Sequence, residues 1–264
     1  MAERLQRILS QWGIASRRQA ETMILEGRVC LNGNLAQLGQ KANPAQDWIE
    51  VDGRLVQPAT RPPLIYLLLH KPSGVVSTCR NSEVYKNVLD LLPEKISHGK
   101  GIHPVGRLDA DSTGALLLTN DGALTFRLTH PRFCIPKTYR VWVQGKPSRS
   151  ILKQWRQGIV LAGRKTLPAQ VQVLKHSSGP KTHLEIVLIE GKNRQIRRVA
   201  EQLGHPVVHL HRTSIGSIQL QPPGEPLLSC GHYRFLKDRE ICFLKQQTHL
   251  ASIRMPAAVE DESV

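Results

Sequence analysis

Apolar positions recur at helical spacing from the start of the chain. Leu5, Ile8, Leu9 and Trp12 share one face, and Gly13 is placed to end that helix. Ser16 with Gln19 three residues later has the form of a capping box opening a second helix. Ala20, Met23 and Ile24 supply its stripe, and Gly27 closes it. Val29-Cys30-Leu31 then runs into Asn32-Gly33, a hairpin signal, and Trp48-Ile49-Glu50-Val51 with Asp52-Gly53 repeats it. The segment Gln57-Pro58-Ala59-Thr60-Arg61-Pro62-Pro63 is a proline-stiffened linker. It divides the chain into a small helix–helix–hairpin domain, residues 1–58, and a larger domain, residues 62–237, followed by a tail, residues 238–264.

Strand-like runs dominate beyond the linker. Leu64–Leu69 leads into Lys71-Pro72-Ser73-Gly74, read as a turn, and Ala115-Leu116-Leu117-Leu118-Thr119 is short and apolar enough for a buried strand. Tyr139, Val141 and Val143 alternate with Thr138, Arg140 and Trp142, as Leu184, Ile186 and Leu188 do with Glu185 and Val187. Two helices stand out. One opens near Asp121 and ends before Pro131; the other runs from about Arg194 to Leu203, closed by Gly204 and Pro206. Strands outnumber helices without alternating regularly with them, so the fold class is α+β, with a mainly antiparallel mixed sheet flanked by helices.

Charge adds a partner to this outline. The chain has 264 residues and a formal net charge of +15. Residues 1–60 hold seven Lys/Arg against six Asp/Glu, whereas residues 61–236 hold twenty-five against ten. The larger domain is therefore the electrostatic body of the protein, and a polyanion is its expected partner. No apolar run approaches about eighteen residues, no basic amphipathic helix appears and no signal peptide opens the chain, so no membrane role is expected. Five scattered cysteines without a Cys-x-x-Cys pair fit reduced thiols in the cytoplasm and argue against structural zinc. No phosphate-binding loop implies a nucleotide cofactor. The tail from Lys237 ends acidic, at Glu260-Asp261-Glu262, and is expected to be poorly ordered.

Candidate chemistry centres on Gly106-Arg107-Leu108-Asp109-Ala110-Asp111-Ser112-Thr113-Gly114. A carboxylate and a guanidinium stand two residues apart in a glycine-bounded loop before a buried strand, where a ligand can approach the backbone. Taken alone, a turn cluster joining two strands would account for it equally well. In the later helix, Ile196, Val199, Ala200 and Leu203 define a buried arc. Arg194 and Arg198 then point away from that arc, while Arg197 sits at its edge and needs an anion. Asp109 is the candidate, since an arginine neighbour favours the charged carboxylate that a nucleophile requires. Pairing of Asp109 with Asp111 for acid–base work is the weaker alternative. Tyr139 reads by default as a core tyrosine. His209 and His211 share a strand face but have no third partner, which is poor evidence for a metal. At the N-terminus, Arg17 and Arg18 open a helix where a docked phosphate would offset their clash with its dipole. Arg4 and Arg7 lie one turn apart on the helix before it.

The loop at Asp109, then Thr119-Asn120-Asp121-Gly122, Lys137-Thr138-Tyr139 and Glu190-Gly191-Lys192-Asn193-Arg194-Gln195-Ile196-Arg197-Arg198 follow in an order that resembles the bacterial ribosomal RNA pseudouridine synthases of the RsuA/RluB branch. Leu210-His211-Arg212-Thr213-Ser214-Ile215-Gly216 is a weaker match, and residues 2–55 resemble the RNA-binding domain of ribosomal protein S4 type. The resemblance implies a monomeric, cytoplasmic isomerase that needs neither metal nor cofactor. It would convert one ribosomal uridine, with large-subunit RNA preferred over small-subunit RNA from overall likeness. Asp109 would be the nucleophile, Arg197 its partner, and Tyr139 a contact of the target base that assists proton transfer. Arg107 would fill the place left in the RNA stack by the extruded uridine. Arg4, Arg7, Arg17, Arg18, Lys192, Arg194 and Arg198 would hold RNA. A non-catalytic RNA-binding protein, or an RNA hydrolase using Asp109 with Asp111, are the other classes considered.

Overall fold

A computed structural model describes residues 2–56, 62–80, 82–176 and 179–250. At the N-terminus α1 (Leu5–Gln11) and α2 (Arg17–Leu25) pack over four strands: β1 (Val29–Leu31), β2 (Asn34–Leu35), β3 (Ile49–Val51) and β4 (Arg54–Val56). The strands pair antiparallel in the order β2-β1-β3-β4. Both hairpins turn on residues with positive φ, Asn32-Gly33 and Asp52-Gly53, as two-residue loops of this hand require. The capping box is present, with Gln19 N donating to Ser16 Oγ and Ser16 N to Gln19 Oε1. Leu5, Ile8, Leu9, Trp12, Ala20, Ile24, Val29 and Ile49 make a core of the module's own.

Among the described residues the larger sheet has nine strands. Its main path uses β5 (Tyr66–Lys71), β6 (Thr113–Thr119), β7 (Lys137–Gln144), β8 (Gln170–His176), β9 (Lys181–Leu188), β10 (Val207–Ile215) and β11 (Tyr233–Phe235). Their order is β8-β9-β7-β10-β6-β5-β11, with the short strands His103–Pro104 and Ile218–Gln219 alongside. The pairings are antiparallel except at the seam between β10 and β6, where His211 faces Thr113 and Arg212 faces Gly114 in parallel. Gly114 has φ 114°, and a Cβ there would overlap the Arg212 backbone. Only glycine allows the two half-sheets to meet so closely at the foot of the Asp109 loop.

Helices α3 (Glu94–Ser97), α4 (Gly122–Thr129), α5 (Arg149–Gln157) and α6 (Gln195–Gln202) surround the sheet. Asp121 caps α4, accepting from Ala123 N and Leu124 N at 3.0 Å. Trp155 of α5 with Ile196, Val199 and Ala200 of α6 buries the Tyr139–Val141–Val143 face of β7. The architecture is the α+β class expected from the pattern.

Two expectations are corrected. Strand β5 continues through Lys71, which is fully buried instead of standing in a surface turn. The tail does not become irregular after Lys237: α7 (Asp238–Leu250) buries Leu244 in the core beside Leu124 and Leu128 of α4. Its start is held by the Arg234–Glu240 ion pair at 2.7 Å. The acidic residues Glu260-Asp261-Glu262 stand at the far end of a segment whose first half is amphipathic, with Ile241, Leu244 and Thr248 turned inward. Residues 251–264 lie outside the described residues, as do residues 57–61, where the domain boundary was expected.

Candidate active site

The Asp109 loop is held from behind by groups that oppose its movement. Lys71 Nζ donates to the carbonyls of Pro72 (2.8 Å), Ala110 (3.3 Å) and Ser112 (2.8 Å). Ser77 Oγ donates to Leu108 O at 2.9 Å and accepts from Leu108 N at 3.1 Å. Ser112 N closes a turn onto Asp109 O at 3.1 Å. The loop is thus a braced platform, which is what a group that must meet a reacting atom needs.

Two arginines converge on the two carboxylates. Arg194 Nη1 lies 3.3 Å from Asp109 Oδ2, and Arg197 Nε lies 3.9 Å from the same oxygen. Arg197 Nη2 is 3.1 Å from Asp111 Oδ1 and 3.0 Å from Ser112 Oγ, while Arg194 Nη2 is 3.6 Å from Asp111 Oδ2. Arg197 is the more buried, with 14% of its side chain exposed against 44% for Arg194. The expected Asp109–Arg197 approach is present, but the shorter contact of Arg197 is to Asp111. Arg194, expected to point away from the buried arc, is exposed, and it also reaches Asp109, which the helical phase did not indicate. Arg194 is the N-cap, in the left-handed conformation at φ 48°, so the helical phase that aims Arg198 outward does not apply to it. Arg198 is exposed, as the phase requires.

Asp109, Arg194 and Arg197 open onto a cleft of about 270 Å³, lined also by Arg107, Leu128, Lys137, Tyr139, Ile196 and Arg212. Tyr139 is buried, with the Arg212 guanidinium 6.0 Å from its ring centre. Arg212 is 3% exposed and donates through Nε to Ala115 O at 2.7 Å. Its Nη2, like Arg197 Nε, is a buried donor with no hydrogen-bond acceptor among the described residues. A ligand rich in carbonyl or phosphate oxygens suits such a wall. Burial, followed by the charge of Arg212, pushes the Lys137 ammonium down to about 8. Burial does the same to Lys71, also to about 8, against the pull of Asp111 and Asp109.

Lys71, Ser77, Lys137 and Arg212 were not singled out from the sequence. The last two lie inside motifs read there for other residues, and a buried lysine preceding a proline gives no periodic signal. Lys192, expected on RNA, turns back: its Nζ donates to Lys165 O at 2.8 Å and lies 3.8 Å from Glu190 Oε2. Glu190 is itself buried and braces the turn, accepting from Gln195 Nε2 and Leu167 N at 2.8 Å. In the N-terminal module Arg17 and Arg18 are exposed at the start of α2. Arg7 pairs with Glu3 at 3.1 Å. Arg4 is not on α1 but in the short strand Glu3–Arg4 that precedes it, paired with Lys41–Ala42. Ladder pairing to that strand holds its backbone extended.

Comparison with known proteins agrees with this geometry. Residues 65–202 match the RNA pseudouridylate synthase family, and residues 3–49 match the S4 domain. The chain is 39% identical over 224 residues to ribosomal large subunit pseudouridine synthase B of Bacillus subtilis, covering 83% of this chain and 88% of that protein. It is 38% identical to an uncharacterized RNA pseudouridine synthase of Aquifex aeolicus, over 92% of this chain and 94% of the relative. A crystal structure of a pseudouridylate synthase, 30% identical, superposes with a TM-score of 0.65 over 91% of this chain and 99% of that one. The chain belongs to the RNA pseudouridylate synthase family, in the RsuA/RluB type that carries an N-terminal S4 domain. It is a pseudouridine synthase, an isomerase acting on RNA, and no helix among the described residues is long and apolar enough to cross a membrane.

Proposed function

We propose that the chain isomerises a uridine of large-subunit ribosomal RNA, with Asp109 as the nucleophile. The observation that carries this reading is the Asp109 carboxylate, held on a braced loop at the mouth of the cleft, with one oxygen 3.3 Å and 3.9 Å from two guanidinium groups. The ribosomal substrate is supported by the name of the Bacillus relative and by the excess of cations in the larger domain.

A stacked base is out of reach of the loop, so the uridine leaves the helix and enters the cleft, and Arg107, exposed on the loop, takes its place in the stack. The reaction breaks the bond from ribose C1′ to base N1 and forms one from C1′ to base C5. The C5 proton is lost and N1 gains one, so no electrons are exchanged with a cofactor. Asp109 forms a transient bond to the nucleotide, and that bond is broken by the time C1′ is joined to C5, which regenerates the carboxylate. Arg194 and Arg197 orient it, and Tyr139 on the cleft wall contacts the base during proton transfer. Arg212 Nη2 and Lys137 offer donors to the base carbonyls or the neighbouring phosphate.

Asp109→Asn keeps the shape and removes the nucleophile. Single-turnover pseudouridine formation in ribosomal RNA from a strain lacking the enzyme should fall by about three orders of magnitude or more, with RNA affinity changed by no more than about fivefold. Pseudouridine formation near the wild-type rate would refute the assignment, and release of free uracil by the wild type would indicate a hydrolase.

A further inference from the structure

The sheet has a second face that the reaction does not use. On the side turned away from α5 and α6, strands β9, β7 and β10 set side chains in rows. Register places His183 beside Trp142 and Trp142 beside His209; in the next row Glu185 stands beside Arg140 and Arg140 beside His211. Lys175 of β8 faces His183. The intervening residues Tyr139, Val141, Val143, Leu184 and Ile186 point into the core, so the rows lie on the open face. Arg140 and His209 are exposed there, while Trp142, His183, Glu185 and His211 are half-buried.

The rings are arranged in near-parallel pairs. Trp142 and His183 stack at 4.3 Å between centres with 7° between planes, and His209 and His211 at 6.3 Å with 18°. Burial holds both the His183 and His211 imidazoles below their usual range, His211 at about 4. Arg140 adds to the effect in both, and His70 and His209 do so for His211. Both imidazoles are thus biased toward the neutral form. Around them Arg140, Lys175 and Lys181 outnumber Glu185 among the described residues of this face.

We propose that this face is a second RNA-docking surface, on which unpaired bases flanking the target uridine stack. Aromatic rings on an open sheet face suit splayed bases of any identity, and the surrounding cations suit the phosphates between them. The face is continuous with the catalytic loop: His211 Nδ1 is 2.8 Å from Thr113 Oγ1, and Thr113 directly follows Ser112. Lys175 and Lys181, exposed on this face, fit a protein partner less well, because lysine is depleted from protein interfaces. The inference rests on the reading of the chain as an enzyme acting on RNA.

The test uses the full chain and an oligouridylate of about twelve nucleotides carrying photoreactive 5-iodouridine, long enough to cover one single-strand site. Crosslinks should map to the peptides containing Trp142 or His183. Trp142→Ala, and separately Lys175→Glu with Lys181→Glu, should each weaken oligomer binding about tenfold, with Trp142→Phe within about twofold of wild type. Pseudouridine formation on ribosomal RNA at saturating protein should be unchanged in all three. That assay fails on its own if the catalytic reading is wrong, so the two failures are distinguishable. Should Trp142→Ala unfold, the exposed lysine pair decides. Crosslinks confined to the cleft and the S4 domain, with the lysine variant binding within about twofold of wild type, would overturn the proposal. Loss of a bound ribosomal protein with RNA affinity intact would overturn it in favour of a protein partner.

Discussion

In the N-terminal module Arg7 meets Glu3 at 3.1 Å and Arg28 meets Asp52 at 2.7 Å, both pairs open to solvent. Around the cleft Lys71 and Arg212 are buried, and backbone carbonyls take their hydrogen bonds. The difference is one of cost. An exposed pair contributes about 0–1 kcal/mol and can be exchanged for a phosphate with little loss. A buried cation without its own carboxylate opposes folding, and a hydrophobic replacement of similar volume is often neutral or stabilising. Cations kept in that position mark the part of the molecule where position matters more than stability.

Lys71 gives the sharpest way to break this comparison. Lys71→Met removes the charge that ties the carbonyls of Pro72, Ala110 and Ser112 together behind Asp109. Single-turnover rate should fall about a hundredfold or more, because Asp109, the nucleophile proposed above, would lose its alignment. Stability should change by less than about 2 kcal/mol, since relief of a buried charge offsets the orphaned carbonyls. A collapse of the melting temperature in step with activity would make Lys71 an ordinary structural residue. The pH dependence separates the two roles further. Burial lowers the folded-state value to about 8, so from there up to the ordinary lysine range the unfolded chain binds the proton more tightly. This group therefore destabilises the fold most below pH 8, and its cost fades as pH rises. Turnover should run the other way, declining above about 8 as the ammonium that braces the loop is lost. Lys137→Met checks that the alkaline limb belongs to Lys71, because Lys137 titrates in the same range.

The arginines of α6 sharpen the comparison within the cleft itself. Arg197 is the most buried and also holds Asp111 and Ser112, so Arg197→Ala should lower single-turnover rate about a hundredfold. Arg194, half exposed on Asp109, should cost about tenfold. Arg198→Ala should leave rate within about threefold and appear in RNA affinity alone. Equal rate losses in all three, measured at saturating enzyme, would show that burial is not what separates them. Asp111→Asn should cost less than Arg197→Ala, because Asp111 is half exposed and its oxygen is one of several that Arg197 meets.

What the sequence made legible followed from local rules. Periodicity and capping residues located α1, α2, α4 and α6, and Asn32-Gly33 and Asp52-Gly53 set their hairpins because few residues accept positive φ at both turn positions. The Asp109 loop stood out because its glycines and charges are contiguous. The rest depended on distance in space. Lys71 and Ser112 are 41 residues apart in the chain, Arg194 and Asp109 are 85 apart, and Arg212 and Ala115 are 97 apart. Arg194 shows the limit most clearly: helical phase does not govern the N-cap, whose left-handed backbone accompanies its approach to Asp109. The grid of Trp142, His183 and His209 likewise needed the register of three strands, which no single-strand pattern contains.

The smallest expected effects lie at the N-terminal end of the comparison, and they test its other half. If the module's arginines are held cheaply in water, each should act on RNA as a single phosphate contact. Arg18→Ala, at the exposed start of α2 beside the Ser16 cap, should weaken ribosomal RNA binding about three- to fivefold and reduce the salt slope by about one. Single-turnover rate at saturating protein should not change. Arg17 is differently placed, since its Nη2 lies 3.7 Å from where a side chain on Gly122 would begin, at the first turn of α4. Arg17→Ala should therefore show the same loss of affinity with a smaller change in salt slope, because part of its role is to sit between the module and the catalytic domain. Binding measured by titration at several salt concentrations distinguishes the two. Identical salt slopes for both variants would make Arg17 one more phosphate contact. A fall in single-turnover rate for Arg18→Ala would mean that the module's exposed charges position the uridine as well as hold the RNA.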